Sequence, residues 1–165
     1  MEVKKKKKYL FYRILGSIDN LIAILLLFSM LIFFAAMGFS PRLLLPVFMG
    51  LCMLLYTNLA AVFARYVMVK GNFLRYRLKD WIKVNAVVTL LFAGIVTGIL
   101  TWRLIDQDML HQVSTSTQVP EQFLKASMLT LMGCMGLLAI HVIMTFRYLR
   151  QFHHHFKDQD PPPAA

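Results

Sequence analysis

The chain has 165 residues, 58% of them hydrophobic and only 16% charged, with a formal net charge of +10 at pH 7. Soluble domains are roughly 45–50% apolar and about 25% charged, so this composition excludes a disordered tail and a collagen-like repeat and argues against a water-soluble enzyme. Two cysteines are too few for a disulfide scaffold.

The basic surplus collects at the ends of long apolar runs instead of studding a polar surface with stacking aromatics. That placement points to membrane flanks and away from nucleic acid as a partner. In chain order, the polybasic segment 1–13 comes first, with Lys4, Lys5, Lys6, Lys7 and Lys8 followed by Tyr9-Leu10-Phe11-Tyr12 and Arg13. Such a segment is attracted to anionic lipid at about 1 kcal/mol per basic residue near the surface.

The first predicted span covers about 18–38, and Leu21 to Met37 contains neither charge nor Pro. Its apolar region exceeds the roughly 7–15 residues of a secretory signal, which predicts an uncleaved anchor. Asp19 and Asn20 are read as caps at its cytoplasmic mouth, where an acid suits the positive end of the helix dipole. Gly38-Phe39-Ser40-Pro41-Arg42 is short enough to make the first two helices antiparallel neighbours. The second span covers about 43–65, with Pro46 near its start, where the missing backbone donor costs little.

Gly71-Asn72 is expected to end that helix. Leu74, Leu78, Trp81 and Ile82 then recur at helical spacing, with Arg75, Arg77 and Lys79 facing elsewhere. The pattern predicts either a helix lying in the headgroup layer or an aromatic belt with snorkelling cations. The third span covers about 84–103. Between Arg103 and Lys125 the sequence predicts a short surface helix over RLIDQDMLHQ and then a polar loop, STSTQVP, with Pro120 opening the next helix. The fourth span covers about 124–146, and the tail 147–165 is expected to prolong it until Pro161 to Pro163 forbid continuation.

Each run has the length needed to cross a hydrocarbon core of about 30 Å at a rise of about 1.5 Å per residue. Orientation follows from the cations. Lys4 to Lys8 and Arg13, then Arg65, Lys70, Arg75, Arg77, Lys79 and Lys83, then Arg147, Arg150 and Lys157, lie on one side, fifteen of the eighteen. Arg42, Arg103 and Lys125 lie on the other. The positive-inside rule then predicts an all-α integral membrane protein, a single domain over 1–165. Its four transmembrane helices form an up-down antiparallel bundle, with N and C termini cytoplasmic in a bacterial inner membrane.

Polar groups inside spans are where function is sought, since each costs free energy without a partner. Asn58, Thr89 and His141 lie seven, six and six residues from Arg65, Lys83 and Arg147. At about 1.5 Å per residue they share a depth of roughly 9–10 Å, a candidate polar layer for interhelical hydrogen bonding or for a proton relay or substrate contact. The sequence names no cofactor. A haem would need a facing pair of axial His, and only His141 lies in a span. His153, His154 and His155 point in different directions on a helix and have no completing ligand, so no metal is assigned. Cys52 and Cys134 read as packing residues. G-x-S-x-G, HExxH and P-loop patterns are missing.

Gly94 and Gly98, Ala60 and Ala64, and Gly133 and Gly136 mark small-residue faces that let backbones approach, either within the bundle or against another chain. The resulting expectation is a non-catalytic accessory or scaffolding subunit, bound to the lipid bilayer and to anionic lipids, that packs against a membrane-protein partner or itself as a homo-oligomer. A small transporter or channel using the polar layer is the alternative, and a membrane enzyme the third.

Overall fold

The computed structural model describes residues 2–36, 38, 41 and 44–157, without the side chains of 2–8, 107, 109, 117 and 157. The lysine side chains at 4–8, Phe39, Ser40 and Arg42 of the first connection, and Pro161 to Pro163 lie outside the described residues. Among the described residues there are five α-helices: α1 (Glu2–Ala36), α2 (Leu44–Phe63), α3 (Tyr76–Ile105), α4 (Gln107–Thr117) and α5 (Glu121–Gln151). Two short strands, β1 (Leu74–Arg75) and β2 (Phe156–Lys157), pair in parallel. α2 runs without interruption into a wider π-helical turn, Ala64–Val69.

Tyr9–Ala36, Leu44–Val69, Tyr76–Ile105 and Glu121–Gln151 are long and apolar enough to cross a membrane. Each helix presents one stripe to the interior at the spacing that 3.6 residues per turn imposes. The stripes run through Tyr12, Leu15, Asp19 and Ala23 on α1, Met53, Tyr56, Ala60 and Phe63 on α2, Ile82, Ala86, Thr89 and Ala93 on α3, and Leu138, His141, Thr145 and Leu149 on α5. α1 packs on α2, α2 on α3, α3 on α5 and α5 on α1, so the four close around one core. Outside, Leu25, Phe28, Leu45, Trp102 and Ile143 are all exposed, while Asp19, Thr57, Asn85, Thr89, His141 and Thr145 are buried. An apolar exterior over a polar-studded interior is the distribution of a helical membrane protein.

Four connections differ from expectation. α1 begins at Glu2, so Asp19 is an interior helical residue and caps nothing. Gly71, at φ +67°, ends the α2 segment as the sequence predicts, yet no separate surface helix follows. α3 starts at Tyr76 and continues unbroken to Ile105, with Lys79 and Ile82 already on its buried face. The STST segment is helical within α4, held by the Ser114 hydroxyl donating to the Val119 carbonyl (2.7 Å) and by His111 Nδ1 against Glu121 Oε1 (2.8 Å). Finally, α5 stops at Gln151 and the tail turns back. Phe156 stacks on Phe63 (5.9 Å between centroids, 16°), Phe152 meets Phe63 edge-on, and Leu74 pairs with Phe156 across the strands. Burying those rings explains the reversal, since a continued helix would leave them outside.

Candidate functional site: a buried aspartate–histidine pair beside a crevice

Asp19 and His141 occupy the inward stripes of α1 and α5 and meet there, with His141 Nδ1 3.0 Å from Asp19 Oδ2 and side-chain exposures of 1% and 0%. The contact is close but off the axis of a well-formed hydrogen bond, and among the described residues neither carboxylate oxygen nor either ring nitrogen has a properly directed partner. At that separation the two side chains form a pair, because electrostatic attraction depends on distance and far less on direction. Two ionisable groups held so far from water are costly unless they serve something.

The surroundings hold the histidine in place. Thr145 Oγ1 donates to the His141 carbonyl (2.9 Å) and lies 2.8 Å from both Tyr12 Oη and Tyr56 Oη. A threonine hydroxyl has one proton and two lone pairs, so both tyrosines donate, and one oxygen ties α1, α2 and α5 together. The Tyr12 and Tyr56 rings lie 4.6 and 5.7 Å from the imidazole. About two turns along α1 from Tyr12, the Thr57 hydroxyl contacts Asn20 Oδ1 at 2.9 Å, a second polar tie between α1 and α2.

Gly16 makes room for the ring: a Cβ there would sit 3.2 Å from His141 Cε1 and 3.3 Å from Nε2. Gly16 and His141 both line a cavity of about 280 Å3, which opens between α1 and α2 past Ser17, Asn20 and Asn58 to Arg13 and Arg65. Exposure rises along this path, from the buried imidazole to the two exposed guanidinium groups. Arg65 stands in the π-helical turn that ends α2. π-Helical turns inside helices are frequent at functional sites.

Of the anticipated polar layer, the structure brings Asn58 and His141 to one cavity. Asn58 is exposed and donates to the Leu54 carbonyl (2.8 Å), whereas Thr89 is buried on α3, donates to the Asn85 carbonyl (2.7 Å) and does not line the cavity. Asp19 is the acid that the sequence reading set aside. It follows Arg13 by six residues, the spacing at which His141 precedes Arg147, so both lie about 9 Å from their flanking arginines. That equality was available from sequence. The sharing of Thr145 by Tyr12 and Tyr56 was not, because it depends on how three helices rotate.

Among the expected lipid-facing cations, Arg13, Arg75 and Arg77 are exposed, but Lys79 is buried. Its ammonium lies over the Tyr76 and Phe156 rings, 4.8 and 5.6 Å from their centroids, because the returning tail covers it. Ala60 and Ala64 are buried in the core as close-packing positions. Gly94, Gly98, Gly133 and Gly136 are exposed, and an added Cβ at any of them would meet nothing within 4 Å, so they serve no close approach inside the bundle. Cys52 is buried and Cys134 half-buried, both free. His155 packs on Phe73 and Phe152, and His153 on Tyr76. No protein-family model, curated protein or solved structure matches the chain.

Proposed function

We propose that the protein is a small multi-pass transporter of the bacterial inner membrane that works through the Asp19–His141 pair, its four spans arranged up-down with both termini cytoplasmic. The observation carrying this reading is the pair itself, two ionisable side chains buried in contact at the inner end of a cavity of about 280 Å3. Ionisable groups kept inside spans mark proton relays and substrate pathways. The imidazole can both donate and accept, and the carboxylate at Nδ1 leaves the Cε1–Nε2 edge turned toward Gly16 and the cavity. A proton arriving from the cavity would be offset by Asp19, while the Tyr12 and Tyr56 rings packed on the imidazole restrict its turning. The distribution of Lys and Arg supports an inward-opening crevice, since Arg13 and Arg65 belong to the side that the positive-inside rule places in the cytoplasm.

The test is reconstitution of the purified chain into vesicles enclosing a pH-sensitive dye. Proton flux that disappears in Asp19→Asn and in His141→Ala supports the reading; no flux, or flux equal in all three proteins, overturns it.

A second reading, an accessory or scaffolding subunit seated against a membrane-protein partner or a second copy, is favoured by one observation. Gly94 and Gly98 on α3 and Gly133 and Gly136 on α5 stand open on the outside of the bundle. It predicts a defined homo-oligomer or a co-purifying partner in mild detergent, and a monodisperse monomer that brings down no other protein counts against it.

A further inference from the structure

We infer that the crevice between α1 and α2 is an oxyanion site that takes a phosphate group, gripped by Arg13 and Arg65 at its mouth and met by His141 within. This rests on the transport reading for treating the cavity as the working site, and it adds the chemical class of the substrate. Among the described residues neither Arg13 nor Arg65 has a hydrogen-bond or ion-pair partner, although both line the same cavity. The wall between them and the histidine carries the Ser17 hydroxyl and the amides of Asn20 and Asn58, and no carboxylate lines it. Asp19 stands behind the imidazole, outside the lining. Two unpaired cations, a hydroxyl and an imidazole edge whose Nε2 has no hydrogen-bond partner select an anion.

The geometry of guanidinium favours a particular anion. Its planar fork of N–H donors matches phosphate oxygens two at a time, which a single ammonium does not do. A second, independent sign is His141, which is 1% exposed, has no properly directed partner at Nε2 and is set against the Gly16 wall of the cavity. Ligand pockets usually run about 300–1,000 Å3, so a cavity of about 280 Å3 suits one small anionic group and leaves little space for a nucleoside beside it. The phosphate can be a free ion or the headgroup of a lipid entering between α1 and α2.

The experiment uses the full chain in non-ionic detergent, titrated calorimetrically with inorganic phosphate. In a second arm it is captured on phosphatidylcholine vesicles made with or without phosphatidic acid. Binding in at least one arm is expected. It should weaken by roughly tenfold or more in Arg13→Gln and in Arg65→Gln, the scale of one lost charge-assisted bond pair. Arg77→Gln, an exposed cation outside the cavity, should change it less than about threefold. Binding of inorganic phosphate assigns a soluble anion, and capture by phosphatidic acid alone assigns a headgroup. The inference is overturned if neither probe binds, or if all three variants lose affinity equally. Phosphate binding without proton flux in any form removes the transport reading and keeps the site; flux that needs Asp19 and His141, with neither probe bound, does the reverse.

Discussion

The two ends of the bundle are held together differently. At the end that carries Tyr9, Phe63, Tyr76 and Phe152, aromatic rings interlock, Lys79 is enclosed, and the polar ties through Thr145 and Thr57 join three helices. At the other end α3 buries no residue after Ala93, α5 buries none before Met135, and α1 buries none after Leu27 among its described residues. Shallow apolar grooves lie there instead, one along Gly98, Ile99 and Trp102 and another along Phe123, Ala126 and Thr130. In lipid an apolar side chain gains little by exchanging acyl chains for a neighbouring helix. Helices therefore cohere where they share hydrogen bonds, charges and shape-matched rings, and separate where they offer each other only methyl groups.

The largest effect expected from this contrast is at the Asp19–His141 pair. His141→Ala leaves Asp19 buried without its partner and should cost about 3–5 kcal/mol, measured by unfolding in mixed micelles with rising SDS. Replacing Asp19 and His141 together by Leu should recover most of that loss while abolishing any flux. A single-variant loss under about 1 kcal/mol would mean that the packed end does not depend on the pair.

Next, Phe63→Ala at the packed end should destabilise by about 3 kcal/mol, whereas Phe123→Ala at the open end, where that ring is exposed, should stay within about 0.5 kcal/mol. Equal losses in the same unfolding assay would erase the distinction between the ends. Thr145→Val keeps the shape but leaves two tyrosine hydroxyls without their acceptor. A loss of about 1–3 kcal/mol is expected, and most of it should vanish in a Tyr12→Phe, Tyr56→Phe background.

The smallest effect concerns the open glycines. Gly98→Ala should stabilise by up to about 1 kcal/mol through helix propensity alone, since an added methyl meets nothing within 4 Å. If the same change instead dissolves an oligomer seen by light scattering, the open end is occupied in the membrane by another helix.

The four long helices were legible because an uncharged run of span length admits few other structures. Their ends were not, since a helix continues past the edge of its apolar run wherever capping and packing permit. α1 extends back to Glu2 through the lysines, and that extension turned Asp19 from an expected cap into an interior residue. Half of the site was visible in His141 and Asn58. Asp19 was obscured because it precedes the uncharged run of its span, where an acid suits a helix start equally well. Lys79 was misplaced for a different reason: what covers it is Phe156, far along the chain, and no local pattern announces that return.

The π-helical turn at Ala64–Val69 gives the α2 segment a slack residue in its winding. A π-helical turn holds about one residue more than a turn of α-helix, which advances about 100° per residue, so excising a single residue within it would let ordinary winding resume and leave the residues beyond on nearly the same faces. What would change is the local widening beside Arg65, at the mouth of the crevice. The helix itself would survive as a continuous rod. Local winding here is thus a separate variable from helix integrity, and a one-codon deletion is a change that circular dichroism would miss while the crevice mouth is altered.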